Sequence, residues 1–289
     1  MGKKKKKDAA PPQPKVPAEL MADLALLQDR QAVDGDKAMA CSRLGAFAAA
    51  ADVQRNDLGA AGCIEMLVAQ LVVSREPIPR SLRTGAAAAV TLAARKQCEE
   101  QITYALRQLS ANNPLSIAYD NAARVVDAGG PSSGVMALLA LLQAPGKHCH
   151  VPTVTCKEHA VACLCNLAKK NKYREAIVAC GGVDSLIYLL RDDAEISSAS
   201  LRRDAAFCLG GIAFCHEANK RAVIQAGAVP VLEAIVQDMN EPRSIGLGDG
   251  AAAQARRTAE YALRNILEPP RLPAQPPPSG ATAPLEKKT

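Results

Sequence analysis

One feature constrains this chain above all others: its sequence repeats itself. Residues Tyr173–Leu186 and Asn219–Leu232 align without a gap at an offset of 46, each running through Ile and Val into a small residue and a Gly (Gly181, Gly227), then Val and Leu. A shorter copy spans Asn121–Gly130, and a weaker one reads Ala61-Gly62-Cys63-Ile64-Glu65-Met66-Leu67. A second motif precedes them as Ala162–Ala168, Phe207–Ala213 and Tyr261–Leu267, with further copies at Tyr104–Leu109 and Ser42–Ala48. The blocks at 44–48 and 61–67 both match the last unit at one offset, 165. Repetition at spacings of this size is the mark of a stacked helical array, in which no unit buries its apolar face alone.

Each unit reads as three helices. The first is short and ends at the Gly, which adopts the left-handed conformation that stops a helix. The second carries Val183, Leu186, Ile187, Leu189 and Leu190 on one face. The third places Ala160, Cys163, Leu164 and Leu167 at i, i+3, i+4 and i+7. The marker glycines fall at 62, 129, 181 and 227, so the first step, 67 residues, exceeds the later ones. Two readings fit the surplus. Residues 81–94 form an extra helix, or they form a true third helix and 97–110 begins a degenerate repeat.

Composition agrees. Aromatics are 3% and Trp is absent, which argues against a sandwich or barrel. Alanine runs at 48–51 and 86–89 favour helix. No apolar run approaches the ~20 residues of a membrane span. The Lys3–Lys7 run leads into prolines, unlike a secretory signal, and Lys6 stands where a myristoylation motif wants Ser or Thr. The expected compartment is cytoplasmic, nuclear or both, with the ten Cys mostly as free thiols.

The net charge of +6 is confined to the ends. Residues 1–17 hold six Lys against one acid, and residues 269–289 hold three basic residues against one acid. Eleven of the 19 prolines lie in the same two segments. Both are expected to be disordered tails flanking a near-neutral body at 18–268. A neutral body argues against duplex binding, which wants a basic face on the folded domain. The Lys run suits a nuclear-import signal or a tether to an acidic surface.

The segments Asn219–Leu232 and Leu164-Cys165-Asn166-Leu167-Ala168 resemble the armadillo-repeat consensus. The resemblance implies an all-α, right-handed solenoid of four to five repeats. It implies that the third helices line a concave groove for an extended polypeptide. Such a groove often carries an Asn that pairs with peptide amides and, four residues earlier, a Trp. Here the Asn-type positions are Ala46, Gln108, Asn166, Gly211 and Asn265, and the Trp-type positions are Ser42, Tyr104, Ala162, Phe207 and Tyr261. The expected groove residues are Tyr104, Gln108, Asn166, Phe207, Tyr261 and Asn265. Loss of the Trp ladder, with Arg107, Lys169, Lys170 and Arg264 nearby, favours an acidic or neutral peptide over a lysine-rich one.

Other chemistry is weaker. His148, Cys149, Cys156 and His159 are the candidate zinc ligands, but their spacing matches no closed site, so no metal is expected. Gly246–Gly250 lacks the preceding strand of a phosphate loop, and His216-Glu217 lacks the second His of a zinc peptidase. No cofactor, small-molecule substrate or enzyme activity is expected. The connections at 74–80, 143–155, 191–199 and 238–250 form a possible second contact rim. The expected role is a scaffold or adaptor. A nuclear-transport adaptor resembling importin-α and a subunit of a large cytoskeletal or ciliary assembly are the alternatives.

Overall fold

The computed structural model describes residues 15–76, 86–111, 120–130, 133–143, 150–191, 198–238 and 249–268. Among these there are fourteen helices and no strand. The first described helices are α1 (Ala18–Gln28) and α2 (Asp34–Ala50). Four full units follow: α3 (Asp52–Ala60), α4 (Cys63–Ser74) and α5 (Ala86–Ser110); α6 (Asn121–Asp127), α7 (Ser133–Ala140) and α8 (Val154–Leu167); α9 (Asn171–Ala179), α10 (Gly182–Leu190) and α11 (Ala199–Ala213); α12 (Glu217–Gln225), α13 (Ala228–Asp238) and α14 (Asp249–Leu267).

The marker glycines all take positive φ: 84° at Gly62, 84° at Gly129, 78° at Gly181 and 82° at Gly227. That conformation ends the first helix and turns the chain into the second, and α3 and α4 meet at 71° across Gly62. Helix starts are capped where the sequence supplies an acceptor. Asp120 accepts from the Ala123 N–H, Thr153 from Cys156, Ser198 from Leu201, and the His216 Nδ1 from Asn219.

Equivalent helices stack in rows. The third helices run α2, α5, α8, α11, α14, each against the next. The first helices run α3, α6, α9, α12. Leu106, Leu164, Leu167, Leu186, Leu189 and Leu209 are wholly buried between the rows. Each such Leu contributes about 1.5–3 kcal/mol of burial, so stability comes from stacking, not from isolated helices.

The surplus in the second unit follows neither expected reading. Residues 86–110 are one continuous 25-residue third helix. The run has no Gly or Pro to break it and begins with four alanines. Its apolar stripe continues through Cys98, Ile102, Ala105 and Leu109, all buried. The elongated helix also carries a buried polar cluster. Glu99, fully buried, accepts from the Ser74 hydroxyl at 3.0 Å, lies 2.9 Å from His150 Nε2 and 3.7 Å from Arg75.

Residues 1–14 of the expected tail at 1–17, the expected tail at 269–289 and most of the rim connections lie outside the described residues. No single helix among the described residues is long and apolar enough to cross a membrane.

Candidate functional site

The third-helix row holds all six residues expected in the groove. Helices of this row pass close because small and large residues alternate between neighbours. Tyr104 on α5 lies over Gly45 on α2, where a Cβ would sit 2.6 Å from the ring. Tyr261 on α14 lies over Gly210 on α11. The two glycines occupy the same register position, one residue before the Asn-type position of each helix.

The amides share a register as well. Asn166 Nδ2 donates to the Arg107 carbonyl on α5 and to the Ser110 hydroxyl, each at 3.3 Å. Asn265 Nδ2 donates to the Gly210 carbonyl on α11, also at 3.3 Å. Arg107 and Gly210 are equivalent positions, so each Asn ties its helix to the one before. These amides therefore link neighbouring repeats. Lys169 Nζ donates to the Asn166 Oδ1 at 2.9 Å. Gln108 is half-buried, and Ala46 and Gly211 offer no polar group at the matching position.

The aromatics concentrate toward the last two units. Phe207 is 44% exposed and stacks on Tyr261, with centroids 5.5 Å apart and planes 19° apart. Phe214, one turn after Gly210 on the same face, is 46% exposed. Between α8, α11 and α14 lies a recess that is open to solvent on one side. Its aromatic walls are Phe207, Phe214 and Tyr261, and its charged groups are Lys169 and Arg174. Burial lowers the Arg174 pKa from its usual value. Its guanidinium stays in place by donating to the Ala168 carbonyl at 2.6 Å and the Phe214 carbonyl at 2.5 Å.

Of the residues lining the recess only Phe207 and Tyr261 are expected groove residues; Phe214 and Arg174 are two of those that are not. Phe214 is one turn past the amide register, so extending the register by three residues finds it. Arg174 lies on first helix α9, and no spacing rule connects it to the third helices.

Of the four zinc candidates, only Cys156 and His159 are among the described residues; His148 and Cys149 lie outside them. Cys156 is fully buried, receives the Thr103 hydroxyl at 3.8 Å, and has its thiol pKa pushed up to about 12 by burial. His159 lies against Tyr104 at 5.6 Å. Burial, then the Arg107 charge, lowers its pKa, so a neutral Nδ1 accepts from Arg107 at 3.3 Å. Of the other histidines in that stretch, His150 is spent on Glu99.

No family model and no curated protein matches the chain. Solved structures do. An engineered protein is 18% identical over 86% of this chain and 98% of its own, with a TM-score of 0.57. The armadillo-repeats-only protein of Plasmodium falciparum is 13% identical over 86% of this chain and 92% of its own, also at 0.57. The fold is that of armadillo repeats. In armadillo terms the four three-helix units each supply one rung to the third-helix face.

Proposed function

We propose that this armadillo-fold chain is a non-enzymatic scaffold or adaptor, of the cytoplasm or nucleus, that binds an extended polypeptide along its third-helix face. The observation that carries the reading is the common register of Tyr104, Asn166, Phe207, Tyr261 and Asn265, with Phe207 left largely exposed on that face. An exposed stacked aromatic pair beside amides suits a peptide, which offers both apolar side chains and backbone polar groups. Arg107 and Lys169 on the same face favour an acidic or neutral peptide over a basic one.

The test is site-specific photo-crosslinking in cells, with a photoreactive residue at Phe207 or at Ile224. Ile224 is similarly exposed, but on first helix α12. Crosslinked polypeptide at Phe207 and none at Ile224 is the expected result. The reverse pattern moves the binding surface off the third-helix row.

A further inference from the structure

The third-helix face is not uniform. At Gly211 the Asn-type position has no side chain, between the rungs that carry Asn166 and Asn265. A Cβ built on Gly211 meets only the Ala168 Cβ, at 3.8 Å. The neighbouring Gly210 is different, since a Cβ there would lie 2.9 Å from the Ala262 Cα. Gly210 is small because α14 packs on it. Nothing packs on Gly211, and the space it leaves is part of the recess.

We propose that this recess is the anchor point of the bound peptide, taking one aromatic or large aliphatic side chain flanked by acidic residues. The assignment rests on the groove reading above. The anchor's class follows from the walls. Phe207 and Phe214 expose large apolar surface toward the same opening, and Tyr261 backs it by stacking on Phe207. A buried apolar side chain covers that surface, and ring-on-ring packing is available to an aromatic.

The flanking charge follows from complementarity. Lys169 and Arg174 are the charged residues lining the recess, and no carboxylate lines it. Among the described residues neither cation has an ion-pair partner, because Arg174 is held by carbonyls and Lys169 by an amide oxygen. The nearest acid along α11, Asp204, is engaged by Arg203 at 2.7 Å. Positive potential beside an apolar cavity attracts carboxylates and repels lysine-rich sequences.

The probe is a fluorescein-labelled decapeptide of Gly, Ser and Glu with one central Phe between Glu pairs, read by fluorescence anisotropy at low salt. Its controls replace Phe by Gly, or every Glu by Lys. The wild-type chain should bind the parent peptide at least tenfold more tightly than either control. Gly211→Leu fills the recess without a backbone clash, and Lys169→Glu reverses an exposed charge. Each should weaken the parent peptide at least tenfold, with circular dichroism and melting temperature confirming an intact fold. If the Asn166→Ala/Asn265→Ala variant loses the peptide but Gly211→Leu does not, the anchor assignment fails and the groove reading stands. If the peptide binds and none of these variants affects it, both fail. No binding of the parent peptide overturns the anchor assignment. A tenfold gain on deleting residues 269–289 gives the recess to the chain's own tail and overturns the assignment to a partner.

Discussion

Tyr261 lies directly over Gly210, one repeat back: a Cβ on Gly210 would approach the Tyr261 Cε1 to 3.0 Å and the Ala262 Cα to 2.9 Å. At the next residue, Gly211, a Cβ would meet nothing nearer than the Ala168 Cβ at 3.8 Å, an ordinary contact. Two adjacent glycines in one helix thus carry opposite expectations. Alanine at either gains about 0.5–1 kcal/mol of helix propensity. At position 210 the forced shift of the α14 backbone costs about 1–3 kcal/mol. Gly210→Ala should lower the urea midpoint and Gly211→Ala should raise it. Equal shifts would contradict the packing described.

Gly181 is strained for any other residue by its φ of 78°, although nothing crowds it. Gly181→Ala should destabilise by about 1–2 kcal/mol, the cost of a left-handed L-residue. A stabilised variant in thermal melts would mean that α9 can end in another way.

Glu99 is buried against Ser74, His150 and Arg75. Glu99→Ala leaves these groups facing an apolar gap. Removing one partner of a buried pair costs about 3–5 kcal/mol. Urea unfolding should show a loss of that size, and a loss under about 1 kcal/mol would mean the cluster contributes little.

Asp120 gives the fold an acid dependence. Partial burial pushes its pKa up, but Lys170 at 2.8 Å, the Tyr173 hydroxyl at 2.6 Å and the Ala123 N–H outweigh this and hold it below its ordinary value. In the unfolded chain the group titrates near about 3.9. The folded carboxylate therefore stabilises above about pH 4, and that contribution is lost as pH falls through the lower folded value. Asp120→Asn should destabilise at pH 6, and its deficit against wild type should shrink between about pH 4 and pH 2. A deficit independent of pH would place the effect elsewhere.

The pair Asn166→Ala and Asn265→Ala tests two roles at once. Each amide donates across a repeat junction, so each loss should cost about 0.5–1.5 kcal/mol of stability. Partner affinity should fall as well, by about 1–2 kcal/mol for the pair. Unchanged affinity at full folding would remove the amides from the binding surface.

The sequence by itself determined the local architecture. Gly62, Gly129, Gly181 and Gly227 were legible because a left-handed stop depends on one residue's backbone freedom. The three-helix unit and the third-helix register were legible because apolar spacing reports which face of a helix is buried. What adjoins that register was decided by tertiary packing. The run from Ala86 to Ser110 could be cut several ways on paper, and only docking on α2 and α8 makes it one helix. The inward bonds of Asn166 and Asn265 depend on carbonyls more than fifty residues away. Arg174 enters the recess from another row, and Gly211 differs from Gly210 only through α14. Periodicity encodes which residues share a face, while the distance and contents of the facing helix exist only once the repeats are stacked.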